Sequence, residues 1–294
     1  MTLTYLQFHL VFLVPVLVLL GIAVRRYGRR TLLTPGARWA GTGVLVVVAL
    51  VYTVPWDNYL ITRGVWWYGE GRVVATVWHA PVEEYLFMAL QPVVAALWLA
   101  LLPTPLGETP TDVTRRERVL GVAGGLAVTA VGVALLAREP TFYLGAIVAW
   151  AGPVLALQWG FGWPVLWALR RPVALGVLVP SVYLWTADRV AIELGIWVIS
   201  ERYTTGLTLV GLPIEEALFF LVTNLFVVQG LVLLGWLVGG RWSSTPSSRP
   251  SSATEPGNVL SRDVRSMADR DVSVREPAAG VRGTGGADGD TPDD

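Results

Sequence analysis

Long apolar segments constrain this chain more than any other feature of its sequence. A helix needs about 20 apolar residues to cross the hydrocarbon core of a bilayer. The chain offers seven such segments, which predict an all-α polytopic membrane protein with about seven transmembrane helices. The third and seventh are long enough to begin in the interface or to be kinked, at Pro81 and Pro213. The predicted spans are 3–24, 37–55, 73–102, 119–137, 141–159, 172–186 and 207–239.

Charge is both scarce and unevenly distributed. Only 15% of the residues are charged, whereas a typical soluble domain has about 25%. Residues 241–294 hold 16 of the 44 charged residues and are rich in Ser, Pro, Gly and Asp, so we expect a disordered cytoplasmic tail. The net charge of zero gives no reason to expect a nucleic-acid partner.

Missing residue types exclude several function classes. The chain has no cysteine, which excludes disulfides, thiol nucleophiles and cysteine-ligated metals. All 22 basic residues are arginine, so no lysine can form the Schiff base of a retinal-binding protein. Two histidines make a poor transition-metal site, and neither glycine-rich run, 121–125 or 283–289, follows a strand as a dinucleotide site requires. We expect no metal and no cofactor.

Arginine placement predicts the orientation in the membrane. Cytoplasmic loops carry an excess of arginine and lysine. Eleven arginines fall in one set of alternate loops and five in the other, which places the N-terminus outside and the C-terminus in the cytoplasm of a multi-pass cell-membrane protein. The first set is Arg25, Arg26, Arg29, Arg30, Arg38, Arg115, Arg116, Arg118, Arg170, Arg171 and Arg241; the second is Arg63, Arg72, Arg138, Arg189 and Arg202.

Two parts of the sequence match each other. At an offset of 131, and of 132 after one insertion, the matches include acidic residues and a repeated Pro-x-Glu-Glu run that opens a long helix. They predict two three-span repeats, 1–102 and 141–240, joined by a linker with a connecting span, 103–140. The fourth span makes the two repeats parallel. The matched residues are Val51, Tyr52, Asp57, Ile61, Gly64, Trp66, Glu70, Pro81, Glu83, Glu84, Leu86 and Phe87 with Val182, Tyr183, Asp188, Ile192, Gly195, Trp197, Glu201, Pro213, Glu215, Glu216, Leu218 and Phe219.

The paired glutamates are the strongest candidates for chemistry. Glu83–Glu84 and Glu215–Glu216 begin the third and seventh spans, where a carboxylate is costly and usually functional. Apolar surroundings and mutual repulsion favour protonation of at least one member of a pair. Adjacent helical residues point about 100° apart, so the two members need not share a role. The alternative is simple compensation of the helix dipole, which is less favoured because two pairs occur at matched positions.

Other residues near these pairs are candidates for binding a substrate. Aromatic faces stabilise a cation in a dry pocket by about 2 kcal/mol, although each phenylalanine alone is more typical of packing. Asp57 and Asp188 are more typical of caps on short interfacial helices than of catalysts, and His79 could pair with Glu83. The candidates are Phe87, Phe219, Phe220, Gln91, Asn224, His79, Asp57 and Asp188.

Some nearby residues have simpler interpretations. His9 is expected to be a hydrogen-bonded packing residue, and Glu70 and Glu201 are expected to be in solvent. Glycines of the fourth span predict close packing. An interfacial aromatic belt is the simplest interpretation of Trp56, Trp66, Trp67, Tyr68 and Trp197.

The duplicated segments 81–87 and 213–220, with the Thr223-Asn224-Leu225 run, resemble the heterodimeric-type lycopene cyclases. The resemblance covers about residues 1–240 and is closest to the single-chain archaeal fusion of the two subunits. It implies a cofactor-free lycopene beta-cyclase that converts membrane-dissolved lycopene to γ-carotene and then β-carotene. One glutamic acid would protonate C2 and a second glutamate would remove the proton from C6, while aromatic residues shield the carbocation.

Several alternatives remain open from the sequence alone. Repeated membrane glutamates also serve proton relays, so a proton-coupled transporter of lipophilic solutes is the rival function. A related cyclase of longer carotenoids is a third candidate. The sequence does not decide whether the two pairs form two sites or line one cavity, which glutamate is the acid, or what the oligomeric state is.

Overall fold

Seven helices long and apolar enough to cross a membrane form the described part of the protein. The computed structural model describes residues 3–28, 33–105 and 109–243, so most of the predicted tail 241–294 lies outside the described residues. The predicted all-α polytopic architecture is confirmed. The spans are Tyr5–Tyr27, Pro35–Thr62, Val82–Leu99, Arg115–Leu135, Glu139–Ala168, Arg170–Glu193 and Ile214–Gly239.

Several helices extend beyond the apolar segments that predict the spans. Helix α3 continues past Pro55 to Thr62, and α7 continues past Thr186 to Glu193. The polar residues that follow the apolar segments, Asp57, Asn58 and Asp188, are buried inside the protein and do not end the helices. The α-helices are α1 (Tyr5–Phe8), α2 (Val14–Tyr27), α3 (Pro35–Thr62), α4 (Val82–Leu99), α5 (Arg115–Leu135), α6 (Phe142–Ala168), α7 (Arg170–Glu193) and α8 (Ile214–Ser243), and a 3₁₀ turn (Glu139–Thr141) precedes α6.

The first span contains one turn of π-helix, His9–Leu13, between α1 and α2. Pro15 follows immediately and has no N–H to donate, so regular α-helical bonding cannot continue through this turn. The N–H of Val14 instead bonds the carbonyl of His9. π-Turns of this kind are frequent at functional sites.

The third and seventh spans are shorter than predicted because hairpins precede their helices. Strands β2 (Thr76–Val77) and β3 (Ala80–Pro81) lie before α4, and β5 (Thr208–Leu209) and β6 (Leu212–Pro213) lie before α8. The long apolar segments 73–102 and 207–239 are therefore each a hairpin and a helix, and neither is kinked at its proline. Pro81 is the N-cap residue of α4, a position that needs no helical N–H.

Two further strands join the outer segments of the predicted repeats. Strand β1 (Trp66–Tyr68) pairs antiparallel with β4 (Trp197–Ile199), with Trp67 opposite Val198. These two residues are also matched at the 131-residue offset, so the register is the one that a two-fold axis between the matched segments requires. The parallel repeat itself stays a prediction.

Helix α5 packs closely against α6 through glycines, as predicted for the fourth span. A Cβ atom on Gly121 would meet the backbone at Trp159, one on Gly125 would meet Ala156, and one on Gly132 would meet Ala149. Only hydrogen at these positions lets the two backbones approach so closely.

Candidate active site

A small cavity of about 50 Å³ lies where α3, α4, α7 and α8 meet the β1–β4 ribbon. Four carboxyl side chains line it, one from each of these helices: Asp57, Glu84, Asp188 and Glu216. We call it the carboxyl cavity, and its lining residues include no arginine or lysine. The remaining lining residues are largely aromatic. The cavity is lined by Tyr5, Phe8, Trp56, Asp57, Trp66, Tyr68, Glu84, Phe87, Tyr143, Leu184, Ala187, Asp188, Trp197, Ile199, Glu216, Phe219 and Phe220.

One glutamate of each pair faces this cavity and accepts hydrogen bonds from tyrosines. Tyr5 Oη and Tyr68 Oη both donate to Glu84 Oε2, at 2.8 and 3.0 Å. Tyr143 Oη donates to Glu216 Oε1 at 2.7 Å. The structure therefore brings one member of each pair into a single cavity, rather than forming two separate sites.

Tyr68 is a dependable hydrogen-bond donor in this arrangement. It lies in β1, between the spans. Burial is the main reason that its pKa is raised well above the ordinary tyrosine value, and the nearby Glu84 carboxyl raises it further. The hydroxyl therefore keeps its proton at neutral pH and can donate it to Glu84 in a hydrogen bond.

The other member of each pair faces away from the cavity and holds a loop. Glu83 Oε1 accepts from the N–H of Val74 at 2.9 Å, just before the β2–β3 hairpin. Glu215 is fully buried, and its Oε1 accepts from the N–H and the hydroxyl of Thr205 at 2.7 and 2.8 Å. Neighbouring glutamates thus have different surroundings, as their angular separation predicts.

Asp57 and Asp188 lie inside α3 and α7, so the prediction that they cap short interfacial helices is wrong. Each is almost completely buried and lines the cavity. Asp188 Oδ1 accepts from Trp197 Nε1 at 3.0 Å, and one oxygen of each aspartate has no hydrogen-bond partner within the described residues.

The aromatic residues also correct the sequence interpretation. Of the proposed interfacial belt, Trp56, Trp66, Tyr68 and Trp197 line the cavity, and only Trp67 is exposed. Trp56 stacks on Phe219, with ring centroids 5.9 Å apart. These side chains surround the carboxyl groups because α3, α8 and the β1–β4 ribbon converge here.

The predicted phenylalanines lie at this cavity, and two of them also line a second one. Phe87, Phe219 and Phe220 line the carboxyl cavity, and the ring centroids of Phe87 and Phe220 are 5.9 Å apart. Phe87 and Phe219 also line an adjoining, larger apolar groove, where Gln91 lies.

The remaining predicted residues lie outside the carboxyl cavity. Asn224 is fully buried, accepts from Gln91 Nε2 at 2.6 Å and donates to Ser181 Oγ at 3.0 Å, which ties α8 to α4 and α7. His79 is exposed in the hairpin turn, and no hydrogen bond joins it to Glu83 among the described contacts.

The simpler interpretations of His9, Glu70 and Glu201 agree with the structure. His9 is buried, and its Nδ1 lies 2.8 Å from the carbonyl of Tyr5. Glu70 and Glu201 are exposed. Within the described residues, no group of three or more His, Asp or Glu side chains could hold a metal ion.

The comparison with known proteins decides the family. A model of the lycopene cyclase family matches residues 2–102 and 140–231, which is more than half of the chain. The chain belongs to the lycopene cyclase family. These two segments contain every residue that lines the carboxyl cavity, and residues 103–139, which include α5, lie between them.

Individual relatives agree with the family match. The chain is 52% identical to the lycopene beta-cyclase of Halobacterium salinarum over 246 residues, which cover 82% of this chain and all of that protein. It is 35% identical to the bifunctional lycopene cyclase/phytoene synthase of Aspergillus oryzae, over 68% of this chain and 35% of that protein. The corresponding protein of Blakeslea trispora is 35% identical over 77% of this chain and 38% of its own length. No solved structure matches the chain.

Proposed function

We propose that this protein is a lycopene beta-cyclase that works by acid–base chemistry in the carboxyl cavity. One observation supports the chemistry best: Glu84 and Glu216, each hydrogen-bonded to tyrosine, both line the carboxyl cavity among aromatic side chains. Membership of the lycopene cyclase family favours this function over a proton-coupled transporter. The substrate is a carotenoid dissolved in the membrane.

The reaction is an isomerisation that moves one proton in and another out. A carboxylic acid protonates C2 of the acyclic end, which leaves a cation at C1. The C5–C6 double bond attacks C1, a bond forms between C1 and C6, and the cation moves to C5. A carboxylate then removes the proton from C6, and the C5–C6 double bond of the β-ring forms. Each ring closure leaves the number of atoms unchanged.

The hydrogen bonds suggest how the two glutamates divide this work. Glu84 accepts from two hydroxyls on one oxygen, and such donors stabilise a carboxylate, so we assign Glu84 as the base that takes the proton from C6. Glu216, with one tyrosine donor, is assigned as the acid. The position of Asp57 and Asp188 beside them supports a role in exchanging the protons of the acid and the base with solvent between turnovers.

The aromatic walls suit the cationic intermediates. Aromatic faces attract a cation within about 6 Å of the ring centre, and Trp56, Trp66, Phe87 and Phe219 all line the cavity. These rings also exclude water, which would otherwise capture the carbocation as an alcohol.

Orientation in the membrane belongs to the same proposal. The arginine excess supports an outer N-terminus, which would put the carboxyl cavity near the outer face because Tyr5 lies close to the N-terminus and lines it. The native chain has no cysteine, so thiols introduced by Glu70→Cys and Arg116→Cys report the topology. We expect an impermeant maleimide to label intact cells at position 70 only; labelling at position 116 only would reverse the orientation.

Expression in lycopene-accumulating cells tests the function. We expect the cells to change from pink to orange and to yield β-carotene, whereas unchanged lycopene would contradict the proposal. In membranes supplied with lycopene in D₂O, protonation by a solvent-exchanged acid puts one deuterium on each ring, so β-carotene should gain two. β-Carotene without deuterium would contradict a carboxyl acid that is recharged from solvent.

A further inference from the structure

An apolar groove adjoins the carboxyl cavity and is not explained by the acid–base chemistry alone. It has a volume of about 420 Å³ and lies between α3, α4, α6 and α8. Its side chains are mainly aliphatic and aromatic, and no charged residue lines it. From Phe219 to Leu233 it follows α8 for about 21 Å, given a rise of 1.5 Å per residue.

The groove and the carboxyl cavity meet at two rings. Phe87 and Phe219 line both, so these side chains form the boundary between the apolar groove and the acids. A hydrocarbon lying in the groove with its end between these rings would reach Glu84 and Glu216.

The other side of the groove reaches the lipid-facing surface between α3 and α6. Near the carboxyl cavity these helices are tied together, because Tyr52 Oη donates to the carbonyl of Trp150 at 2.7 Å and Trp56 Nε1 to that of Ala146 at 3.3 Å. Further along, Val48 and Leu157 line the groove and remain 55% and 73% exposed. The groove therefore has an apolar opening toward lipid.

The matched region of the other half is packed rather than open. The 131-residue offset pairs Thr53, which lines the groove, with Leu184, which is 1% exposed. Leu184 packs with Leu13, Phe87 and Phe220 in a buried cluster. One hydrogen bond is nevertheless repeated in the two halves. Tyr183 Oη donates to the carbonyl of Phe12 at 2.5 Å, and the matched Tyr52 Oη donates to the carbonyl of Trp150.

We propose that this groove is the binding site for the polyene chain of the carotenoid, which enters sideways from the lipid between α3 and α6. The inference rests on the proposed function. It commits to an extended, uncharged hydrocarbon as the occupant, because the lining carries no charge and the groove ends at the acids. With the matched region filled, one groove presents one end of the substrate at a time.

Two adjacent residues of α3 provide a matched test. Val48 lines the groove and is 55% exposed, whereas Val47 does not line it and is 60% exposed. Because the native chain has no cysteine, Val48→Cys and Val47→Cys each carry a single, similarly accessible thiol. Each purified full-length variant is placed in lipid vesicles, treated with pyrene maleimide and assayed with lycopene, and size-exclusion chromatography checks that the labelled protein is intact.

The expected result is a loss of β-carotene formation of at least ten-fold after labelling at position 48 and less than two-fold after labelling at position 47. Lycopene added first should slow labelling at position 48 only. Equal activity of the two labelled proteins, with no protection by lycopene, would overturn the groove proposal while the native protein makes β-carotene. If the unlabelled variants and the native protein make no cyclised product, the proposed function itself fails.

Discussion

At the scale of single residues, the hydrogen-bond partners of the glutamates separate chemistry from support. Glu84 and Glu216 accept from tyrosines in the cavity, whereas Glu83 and Glu215 accept from the backbone N–H of Val74 and Thr205. The sequence motif treats the two members of a pair alike. Their helical separation of about 100° gives them different partners and, in our account, different roles.

The tyrosines provide a graded test of this account. Tyr143→Phe removes the tyrosine hydroxyl that bonds Glu216 among the described residues, whereas Tyr68→Phe leaves Glu84 with Tyr5. A hydrogen bond to a charged group contributes about 1.5–3 kcal/mol, so we expect Tyr143→Phe to slow cyclisation about 10-fold to 150-fold and Tyr68→Phe to slow it less. Initial rates of β-carotene formation at equal protein levels measure both. A smaller effect for Tyr143→Phe than for Tyr68→Phe would contradict the proposed role of Glu216.

At the scale of secondary-structure elements, the sequence predicts the helices better than it predicts their ends. The seven spans and the close packing of α5 follow from long apolar runs and glycine spacing. The hairpins before α4 and α8 do not, because residues 73–81 and 207–213 are mostly apolar and run directly into apolar helices. Periodicity cannot separate short apolar strands from an apolar helix.

The carboxyl cavity is only partly predictable for a related reason. The repeated Pro-x-Glu-Glu run identifies the glutamates, and the same comparison matches Asp57 with Asp188 and Trp66 with Trp197. The interpretation as caps and an interfacial belt fails because the β1–β4 ribbon folds over the site and buries these side chains. Tyr5 and Tyr143 are missed because nothing near them in sequence marks a site; extending the comparison to an offset of 138 would have matched them.

The α5–α6 contact yields a prediction on stability. A Cβ atom at Gly125 would clash with the backbone of Ala156, whereas one at Gly124 would meet only the Trp159 ring, at an ordinary distance of 3.4 Å. We expect Gly125→Ala to destabilise the protein by about 1–3 kcal/mol through overpacking and Gly124→Ala to have little effect. Thermal unfolding in detergent compares the two variants. Equal melting temperatures would show that the helices are not as close as described.

At the scale of the whole molecule, one cavity must process both ends of a symmetrical substrate. Among the described residues, Leu184 fills the position of the matched half that corresponds to Thr53 in the groove, and it packs against Leu13, Phe87 and Phe220. We therefore expect the half-reacted carotenoid to leave the protein, turn around in the lipid and bind again.

This expectation can be tested with γ-carotene. We predict that γ-carotene appears in the lipid early in the reaction with lycopene and then declines, and that added γ-carotene is converted to β-carotene. Quenched time points separated by chromatography give the three concentrations. Formation of β-carotene without any free γ-carotene, together with no conversion of added γ-carotene, would contradict turnover through one groove.

The most direct test of the central claim replaces the two kinds of glutamate separately and measures the products in lycopene-accumulating cells. One double variant, E84Q/E216Q, alters the carboxyl groups in the cavity; the other, E83Q/E215Q, keeps an amide oxygen that can accept the backbone hydrogen bonds of the loops. General acid–base catalysis contributes about 10²–10⁴-fold, so at equal membrane levels the first variant should leave lycopene with less than about 1% of the native amount of β-carotene. The second should retain most of the activity. Native amounts of β-carotene from E84Q/E216Q would contradict the account.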